Sequence, residues 1–265
     1  MLIDSLHRRW SGVVIAATIA AACSSSAADQ LAYAVDFNNS LFMVNYTDNS
    51  VQYLLNFDDL IVGPASSLAS SPTGELYVGT LLGDIYQIDP DSGSAVQVAD
   101  TGVGNITGLD FMGDTLVMFN SASRPLAFEV DLTDGSYLQL AWSDTMLTST
   151  GSASFEDENT LLFTGNSETA VSTLYAMDIN TGETTVRGEL GAQISAMDFI
   201  DGDLFGGGGF NSEYSIDPNT GQATMLPQTT PDGVFLYRGL TVVPTPSSLS
   251  ILTLTLIGSM RRKRI

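Results

Sequence analysis

The amino-acid sequence predicts an all-β protein folded as a β-propeller of five four-stranded blades, flanked by an N-terminal signal helix and a C-terminal hydrophobic helix. Three observations support this prediction. A turn motif that begins with Asp and ends with Gly recurs about every 43 residues, the length of one four-stranded blade. Strand-like segments fill each interval between the turns. The first interval lacks one strand, and a segment at the far end of the domain could supply it.

The N-terminal residues 1–28 have the three parts of a secretory signal peptide. Basic Arg8 and Arg9 precede an apolar stretch at 13–22, and small residues follow it. Cleavage by signal peptidase after Ala28 fits the small-residue pattern at 26–28. Alternatively, residues 20–23 form a lipobox and Cys23 is lipidated. Both routes predict export of the chain.

The recurring turn motif explains how strands are joined within each repeat. Complete copies occupy residues 89–93, 131–135, 178–182 and 217–221, and a degenerate copy occupies 46–50. From Ser50 through the four glycines, the spacings are 43, 42, 47 and 39 residues. The leading Asp can accept backbone N–H bonds within its turn, and the closing Gly can adopt the left-handed conformation. Each copy therefore predicts a hairpin between two antiparallel strands.

Four strand-like segments fit into each repeat. Residues 84–88 and 174–177 lead into turns and 95–98 leads out, while the strands before these pairs are 75–79, 115–119 and 160–163. Further upstream come small-residue strands at 106–111 and 194–199. Small residues suit the innermost strand of a blade, because that strand lies beside the crowded central channel.

The two ends of the domain at 29–242 predict how the ring closes. Strands at 31–35 and 41–44 open the first repeat without an innermost strand before them. Residues 237–242 resemble the small-residue strand at 106–111, so we expect them to complete the first blade. Such pairing would leave no open sheet edge. A β-sandwich and a β-solenoid remain alternative folds.

The charge of the middle region excludes several classes of function. Residues 29–242 contain 29 carboxylates, three arginines (Arg124, Arg187 and Arg238) and no lysine, which gives a net charge of −26. Such a surface repels nucleic acid, since phosphate binding depends on cations. The chain's His7 and Cys23 both lie in the first segment, so catalysis based on His or Cys, zinc sites built on them, and disulfides are excluded from the domain. We therefore expect no catalytic residue, cofactor or metal there.

Two carboxylates are nevertheless candidates for chemistry. Asp110 and Asp198 occupy matching positions in their repeats, each followed by Phe, and we expect both at one end of the channel. The favoured interpretation is that they cap strands near a solvent-filled channel. The alternative is a carboxylate-dependent hydrolase or lyase, which needs one acid with a raised pKa beside another that stays ionised.

Other motifs have structural interpretations. The Asp turns lack the ligand set of a calcium loop. The acidic run at 156–159 is expected to be a solvated loop. The four glycines at 206–209 lie between predicted strands without a following helix or lysine, so they are not a phosphate loop. Trp142 is expected to pack between blades, with sugar stacking as the alternative.

The C-terminal residues 243–265 contain three successive features. Val243, Pro244, Thr245 and Pro246 precede an apolar run at 249–260, and the basic cluster Arg261, Arg262, Lys263 and Arg264 follows it. This order resembles the PEP-CTERM sorting tail of exported bacterial proteins, although Thr245 stands where that family usually has Glu. The resemblance implies transient insertion into the inner membrane and processing by an exosortase-type transpeptidase or protease. The alternative is a permanent membrane anchor.

Together these features predict an exported protein of the cell surface or extracellular matrix. We expect the propeller to be a non-catalytic scaffold or binding module, with extracellular polysaccharide as a candidate ligand. An extracellular hydrolase or lyase acting on polysaccharide is the alternative.

Overall fold

A computed structural model describes residues 29–166, 172–209, 212–227 and 236–243. The predicted signal helix with Cys23 and Ala28 lies outside the described residues. So do the predicted hydrophobic helix, Pro244, Thr245, Pro246 and the basic cluster Arg261, Arg262, Lys263 and Arg264. Within the described ranges there is no helix that could cross a membrane.

Twenty strands form five four-stranded antiparallel sheets, which confirms the five-bladed propeller. Blade 1 contains β20 (Tyr237–Val242), β1 (Leu31–Asp36), β2 (Ser40–Asn45) and β3 (Ser50–Asn56). Blade 2 contains β4 (Ala65–Ser70), β5 (Leu76–Thr80), β6 (Asp84–Asp89) and β7 (Ser94–Asp100). Blade 3 contains β8 (Ile106–Met112), β9 (Thr115–Asn120), β10 (Leu126–Val130) and β11 (Tyr137–Trp142). Blade 4 contains β12 (Ser149–Phe155), β13 (Thr160–Asn166), β14 (Ser172–Asp178) and β15 (Thr184–Glu189). Blade 5 contains β16 (Ile194–Ile200), β17 (Asp203–Gly208), β18 (Glu213–Ile216) and β19 (Ala223–Met225).

The ring closes through the strand that the sequence predicts. β20 pairs with β1 in antiparallel register, with Tyr33 opposite Thr241 and Ala34 opposite Leu240. The Val243 N–H then donates to the Leu31 carbonyl at 2.9 Å, so the pairing continues one residue beyond β20. Blade 1 is therefore built from both ends of the domain, and this removes an open strand edge.

The hydrophobic core is divided into five clusters, one between each pair of neighbouring blades. Successive side chains of a strand point to opposite faces, so an inner strand packs against both adjacent blades. In β5 every residue is buried, whereas the outermost strand β7 is largely exposed. Burial thus decreases from the channel outwards.

Each innermost strand has a β-bulge near its first residues. The residue without a partner in the neighbouring strand is Ser66 in β4, Thr107 in β8, Ser195 in β16 and Arg238 in β20, and in β12 the irregularity covers Gly151 and Ser152. A bulge redirects the side chain of the extra residue. The repeated bulge therefore forms a ring of five equivalent positions at the end of the channel where the inner strands begin.

The Asp turns have the predicted conformation. Asp178 Oδ1 accepts the N–H groups of Asn180 and Thr181 at 2.8 and 2.9 Å, and Gly182 has a φ of 77°. In the degenerate copy, the Asn45 side chain accepts the Thr47 N–H at 2.8 Å, and Asn49 has a φ of 57°. This copy therefore begins at Asn45 and ends at Asn49, one residue earlier than the sequence interpretation placed it.

The glycine run at 206–209 requires a second correction. Gly206, Gly207 and Gly208 lie within β17, not between strands. The ring of Tyr237 covers Gly207 so closely that a Cβ atom there would collide with it. The absence of a side chain therefore lets the closing strand β20 approach blade 5.

We expect Gly207→Ala to destabilise the propeller by about 1–3 kcal/mol, because the added methyl group must displace a fully buried tyrosine. Gly209→Ala is the matched control from the same run, since its Cβ would have Leu236 at 3.9 Å as its nearest neighbour. Thermal or urea unfolding measures both variants. Equal stability of the two would contradict this account of ring closure.

Candidate functional site

The carboxylate mouth is the end of the channel where the five inner strands end. Asp110 of β8 and Asp198 of β16 lie at this end, as their matching sequence positions predict. The equivalent positions of the other inner strands hold Ser154 in β12, Thr241 in β20 and Ala69 in β4. A cavity of about 370 Å³ opens there, lined in part by both aspartates. The sequence did not show that the two side chains come together.

Both aspartates join neighbouring blades through backbone hydrogen bonds. Asp110 Oδ2 accepts the Phe155 N–H from blade 4 at 2.6 Å. Asp198 Oδ2 accepts the Val242 N–H from blade 1 at 2.9 Å. In the same pattern, the Ser70 N–H of blade 2 donates to the Thr241 hydroxyl at 2.9 Å. Each acceptor thus holds the inner strand of the next blade. The sequence predicted that the two aspartates cap strands, but it did not predict this bonding between blades.

Ser154 connects the two carboxylates. Its Oγ lies 2.7 Å from Asp198 Oδ1 and 3.1 Å from Asp110 Oδ2. A hydroxyl has one proton to donate, so it can serve only one of two ionised carboxylates. When Asp110 is protonated, its O–H can donate to Ser154 Oγ while the Ser154 O–H donates to Asp198. This arrangement satisfies the pair with a single negative charge.

The electrostatics of the pair favour the same protonation state. Burial of the carboxyl group, and then the nearby charge of Asp198, raise the pKa of Asp110 to about 8. Burial also raises the pKa of Asp198, although hydrogen bonds from Ser154 and Val242 oppose that shift. Asp198 is 6% exposed, whereas Asp110 is partly exposed at the mouth. Two carboxyl groups that both bond Ser154 cannot both ionise cheaply, and the raised pKa values favour a state with one proton on the pair near neutral pH.

The arginine mouth is the opposite end of the channel, where the inner strands begin. A cavity of about 200 Å³ lies between blades 4, 5 and 1, and its lining includes the bulge residues Gly151, Ser195 and Arg238. The Arg238 guanidinium lies 5.0 Å from the ring centroid of Phe37, within cation–π range. The sequence gives no indication of a role for Arg238. The β-bulge in β20 places this residue at the cavity, and strand register of this kind is visible only in the structure.

A third group of polar residues, Glu213, Tyr237 and Tyr46, is buried between blades 5 and 1. The Tyr237 hydroxyl donates to Glu213 Oε1. Burial raises the pKa of Glu213, and that residue is 1% exposed. Glu213 Oε2 and the Tyr46 hydroxyl are buried without a hydrogen-bond partner. The sequence carried no signal for this group, because Glu213 and Tyr237 come from strands of different blades.

The remaining candidates have structural or surface positions. Trp142 is 57% exposed at the end of β11, so the expectation that it packs between blades is wrong; it is on an outermost strand and alternates with buried Ala141. In the acidic run, Glu156 pairs with Arg187 at 2.7 Å. A hydrogen bond from the Asn159 N–H lowers the pKa of Asp157. Among the described residues, no three His, Cys, Asp or Glu side chains meet in a way that could hold a metal.

We expect the free energy of unfolding to fall as the pH rises from about 4 to about 8, because folded Asp110 retains a proton that an unfolded aspartate releases near pH 4. Asp110→Asn removes this proton uptake and should flatten the profile, so that its cost of about 1–3 kcal/mol near pH 4, for the lost acceptor of the Phe155 N–H, shrinks as the pH rises. Urea unfolding across this pH range measures the slope. Glu213 contributes a slope of the same sign to both proteins.

The control is Asp114→Asn in the exposed turn after β8, which removes the same charge and should keep the wild-type slope. Parallel profiles for wild type and Asp110→Asn would show that the pair does not share a proton.

Comparison with known proteins supports the fold and no closer relationship. No protein-family model and no curated protein matches the sequence. Among solved structures, the chain is similar to one in a nidogen/laminin complex, with a TM-score of 0.53, 15% identity, and coverage of 82% of this chain and 81% of the other. It is also similar to XC5397 of Xanthomonas campestris, described as a gluconolactonase, with a TM-score of 0.50, 12% identity, and coverage of 76% and 77%. At these identities the likeness is one of propeller architecture.

Proposed function

We propose that this protein is an exported propeller that acts as a non-catalytic binding module or scaffold at the cell surface or in the extracellular matrix. The observation that carries the proposal is the bonding of Asp110 and Asp198. Their oxygens accept backbone N–H bonds from blades 4 and 1 and share the Ser154 hydroxyl. Because these carboxylates hold the blades together, movement or proton transfer at either one would disturb ring closure.

The arginine mouth supports the binding role. Its cavity is lined by hydroxyl and amide side chains together with one cation, which are groups that bind polar ligands. It is at the other end of the channel from the aspartate pair, so binding there leaves the hydrogen bonds of Asp110 and Asp198 intact.

A hydrolase or lyase is the second candidate, and one observation favours it. Asp110 has a raised pKa beside Asp198 at the edge of a cavity, the combination that carboxylate-dependent glycosidases use. The similar solved structures include a chain of a nidogen/laminin complex and a described gluconolactonase, so this architecture occurs in both binding proteins and enzymes.

We expect the full-length chain in mild detergent to bind an immobilised extracellular polysaccharide without releasing reducing ends or unsaturated products. Dextran and glucuronoxylan, each tested with and without calcium, separate a neutral ligand from one that carries single uronic acid branches and reveal any calcium requirement. Co-sedimentation measures binding, and reducing-end and absorbance assays measure turnover.

Turnover that Asp110→Asn or Asp198→Asn abolishes, and that Asp114→Asn retains, would establish the enzyme instead. The fold of each variant is checked by its unfolding transition, so that loss of structure is not mistaken for loss of a catalytic group.

We further propose that the C-terminal residues 243–265 deliver the propeller to the cell surface. The Pro-x-Pro segment, the apolar run at 249–260 and the basic cluster resemble an exosortase sorting tail, in which arginines remain cytoplasmic until cleavage. The apolar run of 12 residues is shorter than the roughly 20 that span a bilayer, so a lasting anchor would have hydrophobic mismatch.

We therefore expect the mature protein to lose its C-terminus near residues 243–246, because the short apolar run suits a temporary anchor better than a permanent one. Mass spectrometry of protein from the native host identifies the last residue. Recovery of Arg264 and Ile265 in the membrane fraction would show a permanent anchor.

A further inference from the structure

Arg238 is the charged member of the ring of bulge residues. Two of its members, Ser66 and Ser195, donate hydrogen bonds from their hydroxyls to a carbonyl of the next blade, to Ile106 and Tyr237 respectively. Arg238 occupies the equivalent position in blade 1, and its guanidinium stacks on Phe37 at the channel mouth. Because serine is sufficient to join the blades at the equivalent positions, a long charged side chain at Arg238 is not needed for that bond.

The charge of Arg238 is uncompensated in a strongly acidic domain. Residues 29–242 carry a net charge of −26, with Arg124 and Arg187 as the other cations. Among the described residues the observed ion pair is that of Arg187 with Glu156, and no carboxylate pairs with Arg238. Because no carboxylate of the described residues neutralises it, the guanidinium can receive an anion from outside the protein.

The cavity beside Arg238 contains a second unsatisfied group. Thr150 lines the cavity and is 9% exposed, yet its hydroxyl has no hydrogen-bond partner. A buried hydroxyl without a partner destabilises the fold, and rotation of the Thr150 side chain towards the cavity would let a bound molecule pair with it. Ser149, Asn166 and Gln193 add further hydroxyl and amide groups to the lining.

We propose that the arginine mouth binds a single uronic acid residue, whose carboxylate pairs with Arg238 and whose hydroxyls bond the polar side chains around it. This proposal rests on the proposed binding function. A carboxylate matches the planar guanidinium through two parallel hydrogen bonds. A phosphate ester brings nearly two charges, which one arginine does not neutralise in so acidic a domain.

The acidity of the domain also limits the kind of polymer. A continuous polyuronate would bring many negative charges near a domain with 29 carboxylates, and the two would repel each other. A cavity of about 200 Å³ is smaller than most sites for larger ligands. The geometry therefore fits an isolated uronic acid, at a chain end or on a branch of an otherwise neutral polysaccharide.

Calorimetric titration of the full-length chain in mild detergent tests the proposal with sodium glucuronate, glucose and glucose 6-phosphate. Glucuronate should bind roughly tenfold more tightly than glucose, which lacks the charge-assisted pair. Glucose 6-phosphate should bind more weakly than glucuronate. Equal binding of glucose and glucuronate, or tighter binding of the phosphate, would overturn the choice of carboxylate.

Two variants, Arg238→Gln and Thr150→Val, locate the site, and Arg124→Gln is the control. Arg238→Gln should weaken glucuronate binding roughly tenfold, whereas Arg124→Gln, which removes the same charge from the exposed turn between β9 and β10, should leave it unchanged. Thr150→Val should also weaken glucuronate binding while leaving the unfolding temperature unchanged or higher, since this hydroxyl has no partner in the fold. Equal loss in Arg238→Gln and Arg124→Gln would mean that the effect is one of net charge, and the site assignment would fail.

The proposal can fail separately from the function on which it rests. If dextran or glucuronoxylan is retained by the protein but glucuronate is not bound, the uronic acid site is wrong and the binding module stands. If neither polysaccharide nor glucuronate is bound, both proposals fail.

Discussion

Hydrogen bonds between adjacent innermost strands hold this ring together, and most other features depend on them. A blade buries its two faces against its neighbours, but apolar packing alone does not fix how far each inner strand slides along the channel. Directional bonds do fix it, from Ser66 and Ser195 where the strands begin and to Asp198 where they end. The narrow spacing that these bonds impose explains the small residues of the inner strands and the glycine at 207, which lies against Tyr237.

Using aspartates for this purpose has an electrostatic cost in a domain that already has a net charge of −26. Asp110 and Asp198 come from blades 3 and 5, and Ser154 of blade 4 lies between them. One shared proton halves the charge that must be buried, and each of the two carboxyl groups also accepts two backbone N–H groups. A proton held there has a structural role, so a raised pKa at this position does not by itself indicate catalysis.

Local patterns were sufficient to predict the repeat, because each Asp turn encodes its own hairpin and each blade repeats it. Ring closure was also predictable, since an incomplete first repeat and a spare last strand have few other arrangements. The candidate site was not predictable. Contacts between blades create it, and the sequence of a single strand does not indicate those contacts. They bring together the carboxylate pair, place Arg238 at the cavity and form the group around Glu213. Two smaller predictions failed for a related reason. A shift of one residue in strand register reverses which side chains are exposed, as at Trp142, and the degenerate turn begins one residue earlier than predicted, at Asn45.

The antiparallel pairing of β20 with β1 also determines which way the molecule faces. The last described residue, Val243, is bonded to Leu31 near the start of β1, so both ends of the described domain lie side by side on the face of the carboxylate mouth. A ring held through residues that follow Val243 would therefore turn that face towards its support. The opposite face, which carries Arg238 and Phe37, would then point away from the support and towards the surroundings.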